Sequence, residues 1–314
     1  MATLTDTIRP VSLQFQERDP HAFARDFGES FQRFGFGVIT DHGLDPDLVA
    51  RAWRLTAEFF ALPEEEKKRF AGSAGGARGY TPFGVEIAKG AKQHDLKEFW
   101  HIGRTLTSGH RYEPYMPANV WPERPEGFRE TFGALYDAFD ATGRRLLSGI
   151  ALYLGLEPSY FDAVAGEGNS VLRLLHYPPV GADAPGIRAG AHEDINLITL
   201  LLGAEEAGLE ILTREGEWME IAPPADALVV NVGDMLQRLT NHVLPSTTHR
   251  VRNPAPERRG KSRYSMPFFL HPAPDFMIDT LPGTITADNP NRYPEPLSSH
   301  DFLQQRLREI GLIK

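Results

Sequence analysis

The stretch GAHEDINLITLL, from Gly190 to Leu201, places three polar side chains at the start of an apolar run. If the segment is extended, side chains two residues apart project to the same side, so His192 and Asp194 face one way and Glu193 the other. An imidazole and a carboxylate directed at one point are two members of the 2-His-1-carboxylate triad, which suits non-haem Fe(II). The alternative is a solvated turn that precedes a strand.

A third metal ligand is expected downstream, on a neighbouring strand. His249 in STTHRVRNP opens a short strand-like run. His242 in LTNHVLP is the rival, but it follows Asn241 and shortly precedes Pro245, where a turn is favoured. We therefore predict that His249 is the ligand and that His242 is an ordinary hydrogen-bonded histidine.

Arg263 and Ser265 in RYSMPFF are also two residues apart and share a face if this segment is a strand. An arginine that points into an apolar interior needs a partner, because an unpaired buried charge costs several kcal/mol. A dicarboxylic ligand supplies that partner, since the guanidinium grips a carboxylate with two bonds and the serine hydroxyl adds a third. The alternative is an arginine on an edge strand that reaches solvent.

The composition limits the classes of function. The 314 residues include 33 Lys and Arg against 42 Asp and Glu, for a net charge of −9. This acidic balance argues against binding to nucleic-acid phosphates or to anionic membranes. The chain has no cysteine, which excludes disulfides and thiolate metal sites. The N-terminus, MATLTDTIRPVSL, lacks the basic start and apolar core of a secretory signal, so we expect a cytoplasmic protein.

Helical stripes of apolar residues occupy the first half of the chain, and short apolar runs occupy the second half. Asp19 is a helix-start signal, Gly35 ends that helix, and FGVIT follows as a predicted strand. A long helix is predicted from Gly127 to Leu156, and another from Ser298 to Ile310. From Ser170, runs such as NLITLLL and ALVVNVG are divided by Gly, Pro and Asp, which is typical of a double-sheet β structure. We expect one domain with helices around a β core.

The order of these motifs resembles that of the iron- and 2-oxoglutarate-dependent dioxygenases, in particular the isopenicillin N synthase-like branch. HEDINLITLL, NVGDMLQRLTN, STTHRVRNP and RYSMPFFLHP are similar to segments of that branch and follow the same order. FGFGVITDHGLDPDL and EFFALPEEEK are similar to its helical N-terminal region, and GYTPFG and DLKEFWHIG to its connecting segment. The resemblance extends from about residue 10 to residue 275.

The resemblance implies an α+β fold whose core is a double-stranded β-helix (jelly roll) wrapped by helices, with a mixed N-terminal region. Residues 1–110 would form a non-haem dioxygenase-type region packed on the core. Residues 111–314 would form the helix and jelly-roll core with its C-terminal helix, and the two parts would make one compact unit. The implied cofactors are Fe(II), 2-oxoglutarate and O2. The implied reaction oxidises a small-molecule substrate, commonly by hydroxylation, and releases succinate and CO2.

The same resemblance assigns roles to residues of this chain. His192, Asp194 and His249 would hold the iron, while Arg263 and Ser265 would bind the far carboxylate of 2-oxoglutarate. The tyrosine of LRLLHYPP, Tyr177, would support that cosubstrate. Plant members usually carry asparagine two residues before this tyrosine, where the present chain has Leu175, so that contact is left unassigned.

Three alternatives remain open from the sequence. An oxidase or cyclase of the isopenicillin N synthase type would keep the same residues and use no oxoglutarate. A catalytically silent member would bind metal only, and a zinc hydrolase with the same ligands would leave the Arg-x-Ser pair unexplained. The glycine-rich stretch from Gly72 to Gly84 is expected to be a loop that closes over bound substrate. The sequence indicates neither the substrate nor the oligomeric state.

Overall fold

Two β-sheets face each other and provide the framework of the molecule. The computed structural model describes residues 7–71, 77–85, 94–179, 187–203 and 208–309. One sheet has eight strands in the order β1-β2-β10-β7-β12-β5-β4-β3, and the other has four in the order β6-β11-β8-β9. Apolar residues of both sheets, such as Leu175 and Ile211, pack in a common cluster between them. The strands are β1 Pro10–Ser12, β2 Phe36–Thr40, β3 Gly79–Thr81, β4 Glu98–Gly103, β5 Val171–Tyr177, β6 Ala189–His192, β7 Ile198–Leu202, β8 Leu209–Leu212, β9 Trp218–Glu220, β10 Leu228–Val232, β11 His249–Val251, β12 Arg263–Leu270, β13 Met277–Ile278 and β14 Leu297–Ser298.

The helices cover the outer face of the large sheet. Phe27 of the second helix, Phe59 of the third and Phe132 of the fifth lie fully buried in the same cluster as Leu172 and Leu174 of β5. Within the described ranges, no helix is both long and apolar enough to span a lipid bilayer. The helices are α1 Phe15–Arg18, α2 Pro20–Phe34, α3 Pro46–Phe60, α4 Glu64–Lys68, α5 Phe128–Tyr153, α6 Tyr160–Ala165, α7 Asp234–Leu239 and α8 Ser299–Glu309.

The signals for helix ends are confirmed where the sequence made them clear. The Asp19 carboxylate accepts a bond of 2.9 Å from the backbone N–H of Ala22, which caps α2. Gly35 ends the helix in the left-handed region, at φ 68°. At the C-terminal end of the chain, the backbone N–H of Asp301 donates to Ser298 Oγ and the serine hydroxyl donates to the Asp301 carboxylate. This reciprocal pair begins α8 at the expected place.

The loop expected from Gly72 to Gly84 is only partly outside regular structure. Residues 72–76 lie outside the described residues. Gly79–Thr81 form β3, which pairs with β4 through Tyr80 and Trp100, so the expectation of a loop is wrong there. The pairing of β3 with β4 outweighs the low strand propensity of the local glycines. Closure of this segment over substrate remains a hypothesis.

The large sheet joins strands from both sides of the predicted boundary at residue 110. β1 to β4 precede it, and β5, β7, β10 and β12 follow it. β4 pairs with β5 along six residues, from Glu98 opposite His176 to Gly103 opposite Val171. The two regions therefore share one sheet and one core, while the exact boundary stays a prediction.

Candidate functional site

His192 and His249 lie directly opposite each other on neighbouring strands of the small sheet, β6 and β11. Their ring centroids are 4.4 Å apart. Nδ1 of His192 is 2.7 Å from the carbonyl oxygen of Gly190, and Nδ1 of His249 is 3.1 Å from that of Thr247. A carbonyl only accepts hydrogen bonds, so each ring, as a neutral imidazole, holds its proton on Nδ1 and leaves Nε2 as the ligating atom.

Asp194 completes the group from a loop, because β6 ends at His192. Nε2 of each histidine lies 3.9 Å from a carboxylate oxygen of Asp194. Asp194 Oδ2 accepts bonds from Thr199 Oγ1 at 2.6 Å and from Asn231 Nδ2 at 2.8 Å. The sequence predicts a continuous strand through His192 and Asp194, and that prediction is wrong at Asp194. The structure instead orients this carboxylate with side chains of β7 and β10.

The electrostatics of the three side chains favour metal binding. Their potential ligand atoms lie within 4.8 Å of one another, and no other such group of three occurs in the described part of the chain. Desolvation, together with the neighbouring His249, lowers the pKa of His192 to about 4. Burial would raise the pKa of Asp194, but the two imidazoles and its two hydrogen bonds hold that pKa below its usual value. Near neutral pH His192 is therefore neutral and Asp194 charged, as metal ligation requires.

A small cavity of about 70 Å³ adjoins the triad and is lined by residues of both sheets. It is lined by the three residues above and by Arg263, Ser265 and Tyr177. Arg263 and Ser265 are each 1% exposed. Nη2 of Arg263 donates to the Gly203 carbonyl at 3.3 Å, while its Nε and Nη1 have no hydrogen-bond partner among the described residues. The Tyr177 ring lies 5.2 Å from the guanidinium carbon.

These features fit a metal ion chelated by an organic diacid. Two imidazoles and a carboxylate, with room for further ligands, are the donor set that suits Fe(II). A buried guanidinium with two unused nitrogens is costly by itself, and a carboxylate satisfies it. Ser265 lies beside Arg263 on the same face of β12, where its hydroxyl can add a third bond.

A second, larger cavity of about 590 Å³ opens on the other side of His192 and Asp194. β4 and β5 supply one wall, and Leu303, Arg306 and Leu307 of α8 supply part of another. Glu193, which faces away from the ligand pair in the sequence argument, lines this cavity and accepts a bond from Thr248 Oγ1. His192 and Asp194 line both cavities, so a molecule in the larger one lies beside the candidate metal site.

His242 takes no part in this arrangement. It adopts a left-handed backbone conformation at φ 65°, and its Nε2 lies 2.6 Å from the hydroxyl of Tyr293, on which its ring is stacked. The predicted turn and the hydrogen-bonded role are thus both observed. The contacts of Thr199 and Asn231 with Asp194 were not predicted from the sequence. Each is a buried polar residue within an otherwise apolar strand. That isolated polarity was the available signal.

Comparisons with known proteins assign the chain to a family. A model described as the non-haem dioxygenase in morphine synthesis N-terminal region matches residues 8–124, and one for the 2OG-Fe(II) oxygenase superfamily matches residues 168–272. A 2-oxoglutarate-Fe(II) type oxidoreductase of Emericella nidulans is 34% identical over 88% of this chain and 81% of its own length. The chain belongs to the 2OG-Fe(II) oxygenase superfamily.

Solved structures agree with this 2OG-Fe(II) oxygenase assignment. A 2OG-Fe(II) oxygenase family protein from Caulobacter crescentus is 56% identical and superposes with a TM-score of 0.92, covering 98% of this chain and all of its own. The Neurospora crassa T7H, solved with α-KG and thymine, is 30% identical with a TM-score of 0.85, and 96% of each chain is covered.

The family assignment confirms the fold and the reaction class expected from the sequence. The protein is a 2OG-Fe(II) oxygenase with a jelly-roll core, an oxidoreductase whose cofactors are Fe(II), 2-oxoglutarate and O2. Its relatives give no support to the oxidase, silent-member or hydrolase alternatives.

Proposed function

We propose that His192, Asp194 and His249 hold Fe(II), and that Arg263 with Ser265 binds the far carboxylate of 2-oxoglutarate. One observation carries this proposal: a fully buried arginine, two of whose guanidinium nitrogens have no hydrogen-bond partner among the described residues, lines the same cavity as the triad. A solvent-facing arginine on an edge strand, the alternative considered from the sequence, does not fit, because β12 lies inside the large sheet between β7 and β5.

Each residue of the site has a distinct part in the proposed oxidation of a small-molecule substrate. Fe(II) held by His192, Asp194 and His249 would supply the chemistry by which O2 oxidises 2-oxoglutarate to succinate and CO2 and the substrate to its product. The Gly190 and Thr247 carbonyls keep both histidines in the ligating tautomer, and Thr199 and Asn231 fix the carboxylate of Asp194. The Tyr177 ring packs against the guanidinium of Arg263. The apolar side chains Phe36, Leu201 and Leu209 line the same cavity and exclude water from it.

The substrate of this proposed enzyme is a small molecule that enters the larger cavity. A volume of about 590 Å³ lies in the range of pockets for small ligands, and His192 and Asp194 line this cavity. The net charge of −9 argues against a nucleic-acid substrate. The binding of thymine by the Neurospora relative is consistent with a substrate of this size.

Iron binding by two histidine variants tests the assignment of the third ligand. His249→Ala should lose stoichiometric Fe(II) after anaerobic reconstitution, because one of three protein ligands is removed, whereas His242→Ala should keep it. Iron content is measured after removal of loose metal, with zinc measured in parallel because zinc competes for such sites. Retention of iron by His249→Ala, or its loss from His242→Ala alone, would reassign the ligand.

A further inference from the structure

The charged side chains that line the larger cavity are engaged with other protein groups. Lys97 forms an ion pair of 2.8 Å with Asp95, and Arg173 Nε donates to His101 Nε2 at 2.6 Å. A substrate that bound one of these groups would compete with an existing interaction. Besides Asp194 of the candidate metal site, the charged lining residues with such partners are Arg78, Asp95, Lys97, Arg173, Glu193 and Arg306. A polar side chain without a protein partner is the better candidate for substrate recognition.

His271 lacks a protein partner for its ring. It is partly exposed and lines the larger cavity. Its backbone N–H donates to Ser170 Oγ at 3.2 Å, but among the described residues no group forms a hydrogen bond with either ring nitrogen. The hydroxyl of Tyr115, another lining residue, has no bond to a described residue either, but Tyr115 is 40% exposed and bulk water reaches it. The His271 ring therefore has unused hydrogen-bonding capacity inside the cavity.

The ring of His271 is uncharged near neutral pH. Desolvation lowers its pKa to about 4, and the charge of Asp194 opposes this shift only in part. A neutral imidazole offers one N–H donor and one acceptor nitrogen. It therefore complements a group that both donates and accepts, such as a hydroxyl or a primary amide. An ionised carboxylate would use only the donor.

His271 continues the row of β12 side chains that builds the cosubstrate site. Alternate residues of β12 from Arg263 to Phe269 line the small cavity, and Phe269 also lines the larger one. His271 is the next member of this row. The contact with the chain before β5 also continues past the end of the strand, because the backbone N–H of Asn169 donates to the Pro272 carbonyl at 3.2 Å. One row of side chains thus contacts both cavities.

The same row places His271 one step beyond the candidate metal site. Phe269 lies opposite Thr199 of β7, and the Thr199 hydroxyl donates to the Asp194 carboxylate. Phe269 therefore marks the level of the triad on β12. Side chains two residues apart on one face are separated by about 7 Å, so His271 lies about this far past that level. A small molecule held by His271 can extend another of its atoms to the triad.

The backbone of His271 is fixed from two sides. Ser170 Oγ accepts its N–H, and Gly168 packs against its carbonyl. A Cβ at Gly168 would lie 1.9 Å from the His271 carbonyl oxygen, so the close approach requires glycine there. The starting point of the side chain is therefore set before any ligand binds.

We propose that His271 binds the substrate through a hydrogen bond, and that the substrate is an uncharged, largely apolar molecule with a hydroxyl or amide group at this point. This proposal rests on the function proposed above and adds the chemical class of the substrate. The carbon skeleton would pack on the apolar side chains of the same cavity, such as Val171 of β5 and Leu303 of α8. The bond to His271 would orient the molecule so that the carbon to be oxidised faces the triad.

Matched probes test the proposal by direct binding. The pairs are benzamide with N,N-dimethylbenzamide and benzyl alcohol with benzyl methyl ether, in which methylation removes the donor, and benzoate is the charged comparison. Their affinity for the Fe(II)- and 2-oxoglutarate-loaded protein is measured anaerobically by calorimetry. We expect benzamide or benzyl alcohol to bind about three- to tenfold more tightly than its methylated counterpart and than benzoate. Equal affinities within both pairs, tightest binding of benzoate, or no binding of benzamide and benzyl alcohol at about 10 mM overturns the proposal.

Two variants connect this preference to His271. His271→Phe keeps a flat ring and removes both nitrogens, so it should abolish the preference within each pair. His271→Gln keeps a donor and an acceptor and should restore part of it. His21→Phe, at an exposed position of α2, is the matched control and should bind the probes as the wild type does. A preference that survives in His271→Phe reflects the bulk of the added methyl groups alone and refutes the role of His271.

The Kd for 2-oxoglutarate of each variant separates substrate recognition from a general disturbance of the site. A change in that Kd as large as the change for benzamide would show that His271 acts on the whole site and would overturn the proposal. In the wild type, stoichiometric binding of Fe(II) and 2-oxoglutarate without any preference among the probes would refute the substrate class and leave the proposed function in place. Failure of the wild type to bind Fe(II) and 2-oxoglutarate would refute the proposed function itself.

Discussion

Nε and Nη1 of Arg263, a residue that lines the small cavity, have no hydrogen-bond partner among the described residues. Arg263→Gln should raise the Kd for 2-oxoglutarate by about 10- to 100-fold, since bonds to charged groups contribute about 1.5–3 kcal/mol. The same change should leave the ligand-free protein as stable as before or more stable, because it removes a buried charge. Anaerobic calorimetry and thermal melting measure the two effects. An unchanged Kd would remove Arg263 from the cosubstrate site.

His271 is a second residue with a specific consequence, for stability. It lines the larger cavity, and desolvation lowers its pKa to about 4. In the unfolded protein His271 binds a proton near pH 6.5, whereas in the folded protein it stays neutral down to about pH 4. The free energy of unfolding therefore falls as pH drops from about 6.5 toward 4. His271→Gln should reduce the loss between pH 7 and pH 5 by about 1–2 kcal/mol. Denaturant unfolding at both pH values measures it, and identical losses would contradict the assignment.

The sequence predicts which residues come together at the candidate site, but it does not predict which other side chains contact them there. The shared face of Arg263 and Ser265 follows from the two-residue periodicity of β12, whereas Asp194 lies in the loop after β6 and its orientation does not follow from that periodicity. The bonds from Thr199 and Asn231 depend on which strands become neighbours across the sheet, and spacing along the chain carries no information about that. The position of Arg78 could not be predicted for the same reason, because it depends on contact with Gly103 of β4.

At the scale of elements, the end of α2 is coupled to the loop that orients His249. A Cβ at Gly35 would lie 2.2 Å from Thr247 Oγ1, and the Thr247 carbonyl accepts the bond that fixes the His249 ring. Gly35→Ala should therefore destabilise the protein and also weaken iron binding. We expect a loss of about 2–4 kcal/mol, from strain at positive φ together with the clash.

Gly43 provides a matched control for this prediction. It also has a positive φ, 79°, but nothing lies within 4 Å of a Cβ placed there. Gly43→Ala should cost only about 1 kcal/mol and leave iron affinity unchanged. Urea unfolding and iron titration of both variants measure the difference. Equal effects on iron affinity would show that the end of α2 does not position the histidine.

Helix ends were the most predictable elements, because their signals are local. The cap at Asp19 and the left-handed Gly35 each depend on residues within one helical turn. The run from Gly190 to Leu201 shows the opposite case. Its apolar pattern indicated one extended segment, but the structure divides it into β6 and β7, with Asp194 between them. That break depends on hydrogen bonds to β7 and β10, which the local pattern does not contain.

At the scale of the whole molecule, a buried polar network ties the early part of the chain to the core. Lys67 Nζ of α4 lies 2.8 Å and 3.0 Å from the two carboxylate oxygens of Glu98 on β4. The Tyr80 hydroxyl and Nδ1 of His176 contact the same carboxylate, and Nε2 of His176 lies 2.9 Å from Ser262 Oγ. Burial would raise the pKa of Glu98, but these partners hold it below its usual value.

Removing one partner from this network should be costly. Lys67→Met leaves the Glu98 charge buried with fewer partners and should lower the free energy of unfolding by about 3–5 kcal/mol. Lys68→Met removes an exposed pair with Glu64 and should cost far less, because water screens the two charges. Denaturant unfolding with two spectroscopic probes measures both values. Equal costs for the two variants, or separate transitions in the wild type, would contradict a network that unites the two regions.

The overall layer arrangement followed from the change of pattern near Ser170, since short apolar runs with turn residues indicate a double sheet. The strand order did not follow. β1 and β2 join the large sheet beside β10, and β3 and β4 join it beside β5. β10 begins more than a hundred residues after β2 ends, and β5 begins more than sixty residues after β4 ends. A single sequence gives no measure of which of these segments meet.

The alternation along β5 has a consequence for how this enzyme can diversify. Its odd-numbered side chains face the two cavities, whereas Leu172 and Leu174 pack against the helices. Insertion or deletion of one residue within the strand would exchange the two sets of side chains. Leu172 and Leu174 would then turn toward the cavities, and the cavity-lining side chains would turn toward the helices. A single substitution at Val171 or Arg173 leaves the side chain of Tyr177, farther along the same strand, in place. New substrate preferences can therefore arise in this strand by replacement, while its length must stay constant.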